Sequence, residues 1–521
     1  KCHGLPEPTR EAHEIGKEFC GNGLCNPVYF TVGNLILYLR RLEAEGIERQ
    51  RIVREYAFFT AGSNGPCRFG MYEAEFRAAL REAGYDGFRV LLFQQDSGIS
   101  ADSGESGMRF SVDFGLDALH AFILGDLLND LDHRLRPYEK RPGMVEEAMR
   151  QMTDDVAAEL ETAQRFELLD HAPGFLRPWL ERRRESRLFK RCNTLGKVWT
   201  HLYGSGLTRV LARHGRQIAG VQLDWLRVRP VVKVIGEFWA QQTESDGNFQ
   251  IFRFLEREGA EVAIEPLSNW VMYLLNQFRN RAAVRYTLVP GGVRWRHPLR
   301  AVAAWLGLVG RRALFTAGER IYVGHYRRLA RALGMQARPL VPQTELARLA
   351  NPFYSQNLRG GEGHLEVAKN LYYTRHRLCH LVLAMKPFGC MPSMQSDAVQ
   401  AGLAARIREM AFLSVETAAE GEIQAYSRVQ MALAEARARA RLEFQQALRE
   451  SGRTMQEIRA FVAVHPALRS PFYTVSRRPG ISSTAANFLL DVDELMRERD
   501  ERPARPWFAP QGAGERTVAG A

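Results

Sequence analysis

A chain of 521 residues is longer than one compact core supports, and 45% apolar with 25% charged residues is a globular make-up, which excludes disordered and fibrous classes. With 71 Lys+Arg against 59 Asp+Glu, the formal charge of +12 suits phosphates, anionic cofactors or a membrane surface, although such an excess is more often solvated arginine. Seven scattered cysteines, an odd number, exclude a secreted disulfide framework and point to a reducing, cytoplasmic setting.

The N-terminus, Lys1-Cys2-His3, has no initiator methionine and no apolar signal core, so no export signal is expected and the chain reads as a fragment candidate. The fold class expected is α/β, with two Rossmann-like open-sheet domains and helical insertions. Residues 1–110 form the first α/β domain: a Gly-rich loop at Cys20 to Gly23, a helix from about Pro27 to Glu45, a strand at Tyr56 to Thr60, a helix from about Tyr72 to Ala83 and a strand at Phe88 to Phe93. No strand precedes the Cys25 loop, so this domain is expected to be incomplete at its N-terminal side. Residues 111–228 are a helical segment, dominated by Leu, Ala, Glu and Arg.

A second α/β domain spans 229–455. Its signals are the strands Val231 to Ile235, Glu261 to Ile264, Leu381 to Met385 and Phe412 to Glu416, with helices Phe249 to Gly259, His364 to Tyr373 and Tyr426 to Gly452. A basic helical insertion at about 270–345 interrupts it, with thirteen arginines and one acidic residue, Glu319, between Val271 and Arg338. Its most apolar run, Ala301 to Gly310, closes on Arg311-Arg312 far short of the roughly 20 residues a bilayer needs, so no transmembrane segment is expected. Residues 456–521 read as a C-terminal helix and a flexible Pro/Arg/Gly tail.

Chemistry concentrates on three cysteines. Cys25, Cys67 and Cys390 sit in short Gly- or Pro-containing loops that lead into helices, and two of those loops follow strand-like runs. Strand ends and helix N-termini are where α/β folds bind ligands and where positive potential favours thiolate over thiol. Taken singly, each cysteine is a small buried apolar residue. Taken together, three thiolates from three loops suit an iron–sulfur cluster of the 4Fe-4S kind that keeps one iron open. No C-x-x-C pair is present, which disfavours a zinc ribbon, and no P-loop sequence occurs. Cys20 is a spare ligand or resolving thiol candidate; Cys2 and Cys192 lack context, and Cys379-His380 reads as packing. Asp96-Ser97-Gly98-Ile99-Ser100, loosely repeated at Asp102-Ser103-Gly104, reads as a polar loop rather than a phosphate loop, and Gly360 to His364 as a helix start that can hold an anion.

Four stretches carry a resemblance. Gly65-Pro66-Cys67-Arg68-Phe69-Gly70-Met71-Tyr72, Arg136-Pro137-Tyr138-Glu139, Val234-Ile235-Gly236-Glu237-Phe238 and Pro387-Phe388-Gly389-Cys390-Met391-Pro392 occur in an order that resembles proteins related to the 2-hydroxyacyl-CoA dehydratase activases. The resemblance runs from about Gly16 to Ala440. It implies paired α/β domains with a cluster held by three cysteines in the cleft, an actin-like ATPase partner, fused or separate, that injects a low-potential electron, and an acyl-CoA substrate. The activase's own ATP motifs are not in this sequence, and the Cys25 loop, Gly21-Asn22-Gly23-Leu24-Cys25-Asn26-Pro27, lacks the second nearby cysteine that relatives place there.

The sequence therefore supports an iron–sulfur protein acting as redox component or dehydratase-like partner of an ATP-driven electron donor. A rival reading makes it a scaffold whose basic insertion docks a protein or membrane surface, with nucleic acid less favoured; Arg311, Arg312, Arg327 and Arg328 would carry the docking. In a further reading the chain itself dehydrates or reduces an acyl-CoA, with Glu362, His364 or Glu416 moving the proton.

Overall fold

A computed structural model gives the architecture of residues 3–63, 65–94, 98–100, 112–162, 166–287, 298–358 and 360–501, which are the residues described below. The tail expected beyond Glu501, Cys2, Asp96, Ser97 and the Asp102-Ser103-Gly104 repeat lie outside them, as does the centre of the basic insertion.

The fold is mixed α/β, dominated by helix, with two small sheets. In the first, β1 (Ala57–Gly62) and β2 (Arg89–Gln94) run parallel and β3 (Gly98–Ser100) joins antiparallel to β2. Gly98 to Ser100 is thus strand rather than loop. The second sheet is four-stranded and all parallel, in the order β5-β4-β6-β7, with β4 Val231–Gly236, β5 Glu261–Ile264, β6 Leu381–Pro387 and β7 Phe412–Thr417. Its two inner strands are buried along their full length, which is why they read as continuous apolar runs.

Those inner strands also carry buried lysines. Lys233 Nζ lies 2.7 Å from Glu265 Oε2, with Lys369 Nζ 3.6 Å from the other carboxylate oxygen, and Lys386 pairs with Asp397. Burial opposes charge on Glu265, but the two lysines prevail and pull its pKa down to about 2.

A helix, Arg10–Phe19, precedes the Cys25 loop, where no strand is expected. It packs against Pro27–Ala44, and the shared core of the first lobe includes Val28, Ile36, Phe76 and Leu80. The basic stretch, inserted between β5 and β6, does not pack alone. Helices Leu267–Thr287 and Pro298–Leu333 share one core with Val112–Leu135, Met144–Thr162, Gly206–Ile218 and the last helix, Thr484–Glu501. Segments expected as three separate units form one helical body. Periodicity reveals a helix's apolar face without revealing which distant helix covers it. Among the described residues, no helix is long and apolar enough to cross a membrane.

Candidate functional site

The loops of Cys25, Cys67 and Cys390 converge between the two lobes. Cys67 follows β1 and caps the short 3-10 turn Arg68–Met71; Cys390 follows β6 and caps the helix Met391–Ala404; Cys25 stands two residues before Pro27, which opens its own helix. The backbone joins the lobes directly, since the Asn26 amide donates to the Phe388 carbonyl at 2.9 Å and the Asn26 side chain donates to the Thr417 carbonyl at 3.3 Å. His13 Nε2 and Asn26 Oδ1 bond at 2.8 Å. Arg68 reaches across to the Gly23 carbonyl.

Two glycines mark how closely the loops approach. A Cβ on Gly389 would lie 3.3 Å from the Cys25 Cα, and one on Gly361 would lie 2.4 Å from Pro392 and 3.6 Å from the Cys67 Cβ. Both have positive φ, 79° and 73°, so both the conformation and the space call for glycine.

Tyr72, buried at the start of the helix Tyr72–Glu82, brings its hydroxyl to 2.9 Å from Cys25 Sγ. Glu237 follows β4, where its Oε2 accepts from the Ala240 amide at 3.0 Å and its own amide donates to the Met385 carbonyl. Gln241 donates to Glu362 Oε2 at 3.3 Å. Burial pushes the Glu237 carboxyl up to about 7 and that of Glu362 up to about 8, with Glu237 and Glu366 adding like charge at Glu362 against Lys369. Both hold a proton over a range in which an exposed glutamate has lost it.

The thiols behave opposite to the helix-terminus expectation. Burial raises all three, Cys67 to about 11, and the Glu237 charge raises each further. Desolvation and a carboxylate outweigh helix-terminal amides. The pocket is rich in sulfur and carboxylate, with Arg68 near Cys25, Lys386 near Cys390 and Lys369 near Glu362 as its cations, and a cationic ligand would hold the sulfurs ionised. The three sulfurs do not all lie within 4.8 Å of one another. Thiolates on one tetrahedral ion stand about 3.8 Å apart, given bonds near 2.3 Å, so the trio is wider than a mononuclear site.

Other sequence candidates separate from this place. Cys20 is buried in the first lobe, with Glu75 and Glu82 as its charged neighbours; Cys192 is exposed; Cys379 lies just before β6 and is pushed up to about 12 by burial. His380 is packing, as its Nδ1 accepts from the Val231 amide at 2.9 Å. Glu416 is exposed on β7, and His364 Nδ1 donates to the Tyr354 carbonyl at 2.8 Å. Of the three proton-transfer candidates only Glu362 adjoins both Gln241 and the Gly361 turn against Cys67. Glu237 and Tyr72 were named only inside motifs; a glutamate directly after a buried strand's terminal glycine was the available signal. Compared with protein-family models, curated proteins and solved structures, the chain matches none.

Proposed function

We propose that this chain is an iron–sulfur protein that serves as redox component or dehydratase-like partner of an ATP-driven electron donor. The observation that carries the reading is the meeting of the Cys25, Cys67 and Cys390 loops beside Glu237. Cys25, Cys67 and Cys390 would hold a 4Fe-4S cluster, which would supply low-potential electron transfer and, with one iron not ligated by cysteine, Lewis acidity. The chain's own residues would position and protonate: the Tyr72 hydroxyl, 2.9 Å from Cys25 Sγ, would donate to that sulfur once it is ionised, Gln241 donates to Glu362, and the Glu237 and Glu362 carboxyls, raised by burial, would supply protons to a substrate oxygen. The actin-like ATPase and the acyl-CoA substrate come from the resemblance alone. The description as two Rossmann-like domains belongs to the same proposal, with the four-stranded lobe in support, since Glu237 and Cys390 stand at the carboxyl ends of neighbouring strands.

Anaerobic purification with iron and sulfide assays tests it. A brown protein with iron and sulfide in equal amounts is expected, and Cys67→Ser is expected to lose most of both while keeping its far-UV circular dichroism. Colourless, iron-free wild type after anaerobic reconstitution would reject the proposal.

The scaffold reading keeps one observation in its favour. Trp305, Leu306, Arg311 and Arg312 are all exposed on one long helix. Arg328 is not part of that surface, because its guanidinium donates to the Leu202, Tyr203 and Gly204 carbonyls and closes a neighbouring helix. Charge reversal limited to Arg311 and Arg312 therefore separates docking from folding.

A further inference from the structure

A second cluster of donors lies in the helical body, built from nitrogen and oxygen rather than sulfur. Helix Val112–Leu135 places Asp113, Asp117 and His120 on one face, at spacings of four and three residues. His201 comes from the last turn of Arg187–Tyr203 and His325 from Pro298–Leu333. The ring centroids of His120 lie 5.1 Å from His201 and 4.8 Å from His325.

We propose that Asp117, His120 and His201 bind a divalent transition-metal ion of the zinc class, with Asp113 orienting His201 from behind and His325 packed beside His120. The ligand atoms of Asp117, His120 and His201 all lie within 4.8 Å of one another. His201 Nδ1 is 3.4 Å from His120 Nδ1 and 3.6 Å from Asp117 Oδ1. Ligands on a tetrahedral zinc, with bonds of about 2.0 to 2.1 Å, stand about 3.3 to 3.4 Å apart, so these separations need only a few tenths of an ångström of adjustment.

Two buried side chains with unpartnered atoms add independent support. His325 is 7% exposed, and neither of its ring nitrogens makes a well-formed hydrogen bond; the acceptor near it, the Leu202 carbonyl, also takes Arg328. A buried imidazole left this way is costly unless something binds it. Asp113 Oδ2 accepts from Lys197 at 2.6 Å, while its Oδ1 is unpartnered and sits 3.8 Å from His201 Nε2. Closing that gap by less than about 1 Å would complete the carboxylate–histidine–metal arrangement, in which the ring nitrogen away from the metal donates to a carboxylate. An ion here would tie together two helices that are distant in the chain, as a structural site does.

The full chain, stripped with a chelator and titrated with Zn²⁺ and Co²⁺, tests the assignment. One zinc per chain is expected, with a rise in melting temperature, and the cobalt form should show a tetrahedral d–d spectrum without thiolate-to-metal charge transfer. His201→Gln and Asp117→Asn should abolish stoichiometric binding, Asp113→Asn should weaken it about tenfold, and Cys67→Ser should leave it unchanged. Circular dichroism identifies any variant that fails to fold, and Asp117, more exposed than the histidines, is the variant least exposed to that outcome. Absence of stoichiometric zinc in the wild type, thiolate charge transfer in the cobalt form, or undiminished binding in a folded Asp117→Asn would each overturn the proposal.

Discussion

Glu237 and Glu362 bind protons that the unfolded chain gives up near the ordinary glutamate pKa. Both folded values are raised by burial, to about 7 and about 8, so the stability attached to these protons is fully present below the unfolded value. It is lost as the pH rises through the folded values. Metal-free wild type should therefore lose melting temperature between about pH 6 and about pH 9, and the Glu237→Gln, Glu362→Gln double variant should lose much less. Thermal circular dichroism at both pH values reads the difference, and parallel slopes would show that neither carboxyl holds a proton. Glu265 works in the opposite sense: its depressed pKa keeps its contribution intact across this window, so it leaves the comparison undisturbed.

At the scale of elements, the Cys25 loop depends on how two helices cross. Gly16 of Arg10–Phe19 lies against the Tyr29 carbonyl and Gly33 of Pro27–Ala44 against the Ala12 carbonyl, where an added Cβ would fall 1.8 Å and 1.7 Å from those oxygens. Neither oxygen belongs to a flexible side chain, so the helices must separate to admit a methyl group. Gly33→Ala is expected to cost about 1–3 kcal/mol or more, the usual scale of overpacking, read as a lower urea midpoint. A spread pair would also displace His13 from Asn26, the residue that ties this lobe to β7 and the Cys390 loop. Iron content in Gly33→Ala should fall with stability; an unchanged urea midpoint would refute the close-packing argument.

Across the whole molecule, the helical body makes distant segments interdependent. Phe488, fully buried in the last helix, shares a core with Leu127, Leu211 and Leu329 from three other helices, and it meets Tyr473 edge to face at 5.4 Å. Phe488→Ala should cost about 3–5 kcal/mol, the range for emptying a large buried aromatic site. Far-UV circular dichroism and tryptophan fluorescence should fall together in that variant, because the same core holds the helices bearing His120 and His325 and the helix Leu267–Thr287, whose Leu267 and Ser268 amides donate to the Asp126 carboxylate at 2.6 Å. A loss below about 1 kcal/mol would mean that the last helix is peripheral.

Local pattern was enough to locate the parallel strands and most helices: Val231 to Ile235 and Leu381 to Met385 are too apolar for anything but buried strands, and their observed ends differ by one or two residues. Glycine and proline beside Cys67 and Cys390 likewise marked turns before helices. The sequence reading failed where partners are far apart. Nothing in residues 270–345 says that they pack on residues 112–226 and 484–501, nothing in Asp117 or His120 points to His201 or His325, and the expected thiolate bias reversed once burial and Glu237 were in place. Backbone preference and side-chain periodicity act over a few residues, so the sequence carries them openly. Desolvation and the meeting of side chains from separate loops depend on distances set only when the chain closes on itself, and those the tertiary structure decided.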